Sequence, residues 1–161
     1  MEIVVCELPA FSVIGLEGRA EPGQNPAPTL WEKANARFGE VEGLALRDGN
    51  GVPVGFWGAM SDLSRQFLPW EDGLRRGLYL AGVQVPAAAQ PPEGWTKWTL
   101  PAFACLRVKA EGDYAAALRA GLDELGRQDL TLAGAVQECS RPAEGGQTYL
   151  FFPFKRLREE A

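Results

Sequence analysis

Histidine is absent from this chain of 161 residues. Its absence excludes Ser-His-Asp and Cys-His nucleophilic catalysis and every imidazole-ligated metal. Cysteine is scarce: Cys6, Cys105 and Cys139 lie far apart, and no CxxC pair exists to hold zinc. No metal and no other cofactor is expected. Runs of Lys and Arg are lacking too, and the formal net charge is −5, so no surface for nucleic acid or anionic lipid is expected. The tail Lys155-Arg156-Leu157-Arg158-Glu159-Glu160 is short, partly neutralised by its own glutamates, and reads as a solvated end. No apolar stretch approaches the roughly 18 residues of a membrane span. The opening Met1-Glu2-Ile3-Val4-Val5 lacks the basic region, apolar run and cleavage site of a secretion signal. Without such a signal an odd number of thiols reads as reduced cysteine in a cytoplasm, with Cys6 and Cys105 as small buried apolar residues.

Hydrophobic residues at 46% and charged residues at 23% make an ordinary globular composition. The length fits one domain, 1–161, with a core of its own. Inside it lies a repeat. Leu8-Pro9-Ala10-Phe11 recurs as Leu100-Pro101-Ala102-Phe103. Each copy leads into an apolar strand, Ser12-Val13-Ile14-Gly15-Leu16 in one half and Ala104-Cys105-Leu106-Arg107-Val108 in the other.

A helix follows each strand. In the first half Thr29-Leu30-Trp31-Glu32 has capping-box spacing, Leu30, Ala34 and Phe38 fall on one face, and Gly39 is a stop. In the second, Asp113 is the N-cap, Tyr114, Leu118, Gly121, Leu122 and Leu125 line one stripe, and Gly126 ends it. Two strands complete each half, 52–60 and 78–85, then 130–139 and 148–154. The strand at 1–6 is an extra lead-in or the start of a bent first strand.

The expected architecture is α+β. Two pseudo-symmetric strand–helix–strand–strand repeats, about 1–86 and 95–156, form one curved antiparallel sheet. Both helices sit on one face and a ligand groove on the other. The link 86–94 reads as a tether between halves that each have too little core to stand alone. Segment 61–77 is a long insertion, of the kind that is functional or carries its own short helix.

Trp31 and Tyr114, borne on helices, read as core. Trp57 and Tyr79 flank the expected groove on strands, while Trp95 and Trp98 stand on the approach to the second half. All four are candidates for groove lining, since aromatic faces hold flat apolar ligands and attract cations. Glu138 ends the apolar run Leu132-Ala133-Gly134-Ala135-Val136-Gln137. It reads either as a half-buried carboxylate suited to a cationic ligand or as a solvated turn residue paired with Arg141. Glu17, Asp62, Glu71 and Asp72 read as surface. Gly49-Asn50-Gly51 is a hairpin-type turn without the strand-to-helix setting of a phosphate loop.

The paired Leu-Pro-Ala-Phe starts, Val54-Gly55-Phe56-Trp57-Gly58, Tyr79-Leu80-Ala81-Gly82-Val83-Gln84-Val85 and Leu150-Phe151-Phe152-Pro153-Phe154-Lys155 follow one another in a telling order. Over nearly the whole chain they resemble the GyrI-like small-molecule-binding domain, the effector-binding domain of AraC-type and BmrR-type transcription regulators. In that family a glutamate on the penultimate strand meets cationic lipophilic ligands amid stacked aromatics. By position the resemblance puts Glu138 in that role, in Gly134-Ala135-Val136-Gln137-Glu138, and makes it a site residue.

Two departures stand out: Cys139 and Ser140 follow where the family often has an aromatic, and segment 61–77 is longer than its pattern. The family's regulators carry an N-terminal DNA-binding region, and this sequence opens directly on the ligand domain, so it resembles the stand-alone members. The resemblance thus implies a cytoplasmic monomer or weak homodimer with no direct contact to nucleic acid or membrane. It would hold a small hydrophobic or cationic molecule with Glu138, Trp57, Tyr79, Trp95 and Trp98. Relatives also imply two alternatives. One is a hydrolase of small electrophilic molecules with Glu138 as general base on a water, and the other a protein-interaction module of the gyrase-inhibitor type.

Overall fold

The computed structural model describes residues 1–158; Glu159 and Glu160 of the tail lie outside the described residues. Eight strands, β1 (Ile3–Leu8), β2 (Phe11–Ala20), β3 (Phe56–Ser61), β4 (Gly77–Val85), β5 (Thr96–Leu100), β6 (Phe103–Lys109), β7 (Gln137–Arg141) and β8 (Gln147–Arg156), form one sheet. Three α-helical segments accompany them, α1 (Ala27–Ala36), the single turn α2 (Glu71–Leu74) and α3 (Tyr114–Arg127), with short 3-10 turns at Phe38–Glu40, Glu42–Leu44 and Pro142–Glu144. Every pairing is antiparallel. The order β1-β6-β8-β7-β3-β4-β2-β5 is unchanged when the strands of the first half are exchanged for those of the second. A pseudo-two-fold therefore passes between β7 and β3. Among the described residues no helix is long and apolar enough to cross a membrane.

The repeated tetrapeptide is a corner. Leu8 and Leu100 end β1 and β5, and Phe11 and Phe103 open β2 and β6. The Pro-Ala between them interrupts each ladder, because proline has no N–H to give it. The strands joined by each corner lie at opposite ends of the sheet, since β1 pairs with β6 and β5 with β2. In a flat sheet β1 and β2 would stand about 29 Å apart, six spacings of about 4.8 Å, yet three Cα steps reach only about 11 Å.

The sheet must therefore fold over on itself, and the face away from the helices becomes its inner core. Phe11, Trp57, Leu80, Trp98, Phe103, Tyr149 and Phe151 are among the residues buried there. Trp57 lies 4.3 Å from Phe11 and 5.6 Å from Phe151 between ring centroids. The lead-in at 1–6 is thus a strand in its own right, with β5 as its counterpart, and each repeat lends its lead strand to the other.

On the helix face α1 packs on β2 and β4, and α3 on β6 and β8. Asp113 caps α3 as expected, accepting from the Ala115 N–H at 2.9 Å. The capping box at Thr29 does not form. Helix α1 begins earlier, at Ala27 after Pro26, with no side-chain cap, because Pro28 fits a first turn whose N–H groups need no partner. Gly126 lies inside α3 and does not end it. Residues 130–136 are irregular: the N–H groups of Ala133 and Ala135 go to Pro153 and Phe67 carbonyls.

Insertion 61–77 wraps one end of the sheet. Leu63 and Phe67 cover the inner core, and Trp70 crosses to the helix face. Asp62, expected at the surface, is only 5% exposed. Its carboxylate accepts from Ser61, Ser64, Gln66 and Leu68. Burial alone would raise its pKa, but these hydrogen bonds outweigh burial and hold it low. Glu17 likewise has a structural task, accepting from the Trp98 indole at 2.9 Å and from Arg65.

Candidate functional site

Between α1 and α3 the strands β3 and β7 carry no helix, and a groove of about 440 Å³ runs above them. Met60 of β3, Tyr79 of β4 and Glu138 of β7 form its floor. Trp31 of α1 and Tyr114 and Leu118 of α3 form its walls, and Trp70 and Leu74 close one end. Its volume is within the usual range for small-molecule sites. The groove therefore opens on the helix face. The expectation of a groove on the opposite face is corrected, because folding over fills that face with core.

Glu138 stands opposite Gly58 of β3 and Leu150 of β8. A Cβ at Gly58 would come within 2.1 Å of the Tyr79 hydroxyl, so glycine lets Tyr79 reach from β4 across β3. The Trp31 indole donates to the Tyr79 hydroxyl at 2.8 Å, and that hydroxyl faces Glu138. Three residues from three elements thus form one chain of polar contacts.

Among the described residues lining the groove Glu138 alone is charged, and it enters no ion pair. Arg141, its partner in the solvated reading, pairs with Glu144 at 3.2 Å and stacks over Tyr149. Burial raises the Glu138 pKa above the ordinary 4.5, and the hydrogen bond from Tyr79 offsets only part of that. Burial and then the Glu138 charge raise both phenols, Tyr114 to about 12 and Tyr79 further. Tyr114 is raised although the residue as a whole is 41% exposed.

Of the five residues named from sequence, Glu138 and Tyr79 come together here and the three tryptophans do not. Trp57 and Trp98 point into the inner core, with their indoles donating to Gln84 and Glu17. Trp95 packs beside α1 under Arg37 and donates to Glu40. The expected approach at 95–98 is mostly strand β5, and that strand needs apolar bulk. Trp31 and Tyr114, read as core, line the groove instead, as does Trp70. A signal for Trp31 was present. Leu30 and Ala34 mark the core stripe of α1, and Trp31 and Asn35 lie one step round the helix, facing sideways.

Gln137 fixes the neighbouring backbone. Its side-chain amide accepts from the Met60 N–H at 2.7 Å and donates to the Met60 carbonyl at 2.8 Å. A side chain thus continues the ladder where the β7–β3 register ends. Gln137→Leu would leave both buried groups unpaired, and a loss of about 2–4 kcal/mol is expected in urea unfolding.

No family model matches the chain, and the search of the curated proteins returns no match. Solved structures do match. SAV2435 bound to tetraphenylphosphonium is 16% identical, with a TM-score of 0.62 over 96% of this chain and 94% of that one. The EcmrR C-terminal domain is 10% identical, with a TM-score of 0.60 over 97% and 98%. An integron cassette protein from the mobile metagenome of Vibrio cholerae is 13% identical, with a TM-score of 0.58 over 95% of both. The chain shares the fold of these proteins. The α+β sheet with its helices on one face is the fold implied by the resemblance to effector-binding domains.

Proposed function

We propose that this chain is a small-molecule-binding module of the GyrI-like, effector-binding kind, a single unit of the cytoplasm that holds a hydrophobic cation between α1 and α3. One observation carries the reading. The groove offers a single carboxylate, desolvated and without a counter-charge, among Trp31, Trp70, Tyr79 and Tyr114. A bound cation supplies the missing charge, and each aromatic face adds about 0.5–2 kcal/mol of cation–π attraction. Together these are enough for micromolar affinity, about −8 kcal/mol. The solved complex of SAV2435 with tetraphenylphosphonium makes that ion the natural probe.

The test is a titration of wild type and Glu138→Gln with tetraphenylphosphonium, followed by tryptophan fluorescence. Saturable micromolar binding by wild type, weakened at least about tenfold by the substitution (about 1.4 kcal/mol), is expected. Equal affinity in both proteins would remove Glu138 from the site, and no binding by wild type would refute the cationic ligand.

A further inference from the structure

Beyond Trp31 and Glu138 the groove continues into a second lobe of about 290 Å³, lined by Trp31, Asn35, Phe56, Glu138 and Ser140. Its chemistry differs from that of the main lobe. The end under Trp70 and Leu74 is apolar, whereas the second lobe presents an amide and a hydroxyl. Resting on the cation reading of Glu138, we infer that the second lobe selects ligands whose cationic centre carries a short arm ending in a hydrogen-bond donor, a hydroxyl or an amide N–H.

The arm's length follows from the elements. Ser140 is two residues past Glu138 on β7, on the same face of the sheet, about 6.7 Å along the strand. Asn35 is one turn past Trp31 on α1, about 6 Å along the helix. Strand and helix thus carry their polar groups the same distance beyond the pair that grips the cation. A chain of three or so carbons spans that gap.

The donor character follows from the hydrogen bonds. The Ser140 hydroxyl donates to the Gly146 carbonyl at 3.2 Å, which leaves its lone pairs to accept. The Asn35 amide accepts through its oxygen and donates through its NH2. A ligand group that donates therefore meets an acceptor on both sides of the lobe, and a hydroxyl can in addition accept from Asn35.

The experiment compares hydroxypropyl-triphenylphosphonium with its isostere butyl-triphenylphosphonium on wild type, Asn35→Ala and Ser140→Ala, with melting temperatures checking that each variant is folded. Wild type is expected to prefer the hydroxyl ligand by about three- to tenfold, the range of one net hydrogen bond. Each variant is expected to lose part or all of that preference, read as the ratio of the two affinities within the same protein. Equal affinity for the two ligands in wild type, or a preference that survives in both variants, would overturn the inference. If both ligands bind, depend on Glu138 and are not distinguished, the inference alone fails. If neither binds, it falls together with the cation reading.

Discussion

Tetraphenylphosphonium is expected to bind more tightly as pH rises, by up to about tenfold per pH unit while Glu138 is protonated, levelling off above its free-protein pKa. The ion's own charge does not change with pH, so the dependence reports the protein. The titratable groups facing Glu138 are Tyr79 of β4 and Tyr114 of α3, and both phenols are raised to about 12 or beyond, so they stay neutral throughout. Glu138 is raised above 4.5 by burial, so the rise in affinity extends past the ordinary carboxylate range. Fluorescence titrations from about pH 4 to about pH 8 check this, and Glu138→Gln should show a flat profile. A wild-type profile as flat as the mutant's would mean that the cation is held without the carboxylate.

The same shift has a consequence for stability in the absence of ligand. A carboxyl whose folded pKa lies above its unfolded value binds protons more tightly in the native state. Its contribution is full below the unfolded pKa and is lost as pH rises through the folded one. At neutral pH the empty groove is therefore destabilised by its own charge, and Glu138→Gln should melt at least as high as wild type there and lose that advantage in acid. Glu21, Asp62 and Glu144 have the opposite sign. Hydrogen bonds from Arg76 and Arg19 lower Glu21, those from Ser64, Gln66 and Leu68 lower Asp62 against its burial, and those from Tyr149 and Arg141 lower Glu144. Their stabilisation is present above the unfolded pKa and is lost as pH falls through the depressed values. The two windows are thus distinct, with Glu138 titrating while the network around Asp62 is still ionised.

The order of elements was legible because it rests on local signals: the repeated Leu-Pro-Ala-Phe, the Asp113 cap, and apolar runs bounded by glycine and proline. Glu138 was singled out by the family resemblance, since the residues alone left a solvated turn open, and Tyr79 was grouped with Trp57 beside a groove expected on the other face. The groove's face was not legible. It depends on the exchange of β1 and β5 between the halves, a long-range pairing that no local period announces. Without that exchange the helix-free face would be open, and Trp57 and Trp98 would line it. With it, that face becomes core, and the same periodicity that suggested ligand contacts for Trp57 and Trp98 describes their packing. Trp31 and Tyr114 were misplaced by the converse error, because helical spacing shows which stripe is apolar and not which neighbour is missing.

The folding-over also sets the largest stability effect expected of a small substitution. Gly15 of β2 and Gly82 of β4 are direct partners in the ladder. A Cβ on Gly82 would come within 2.2 Å of the Ile14 carbonyl oxygen, and one on Gly15 within 2.4 Å of the Ala81 carbonyl oxygen. Side chains in a regular strand stand clear of the next backbone, so this contact marks a sharp local bend between β2 and β4. The neighbour on each side is backbone inside a paired sheet, which cannot swing away as a side chain would. The second repeat carries a register shift at Ala104/Cys105 between β6 and β8, and a bulge is another device for turning a sheet. Gly82→Ala is expected to cost about 3 kcal/mol or more, at or beyond the upper end of overpacking effects, read as a lower urea midpoint at unchanged slope. Gly126→Ala, near the end of α3 with nothing within 4 Å of its Cβ, should instead stabilise by about 0.5–1 kcal/mol through helix propensity. The same added methyl group then has opposite signs at the two sites. Tolerance of alanine at Gly82 would show that the sheet turns elsewhere, and the close approach of β2 to β4 would lose its role in bringing β1 and β5 to their exchanged partners.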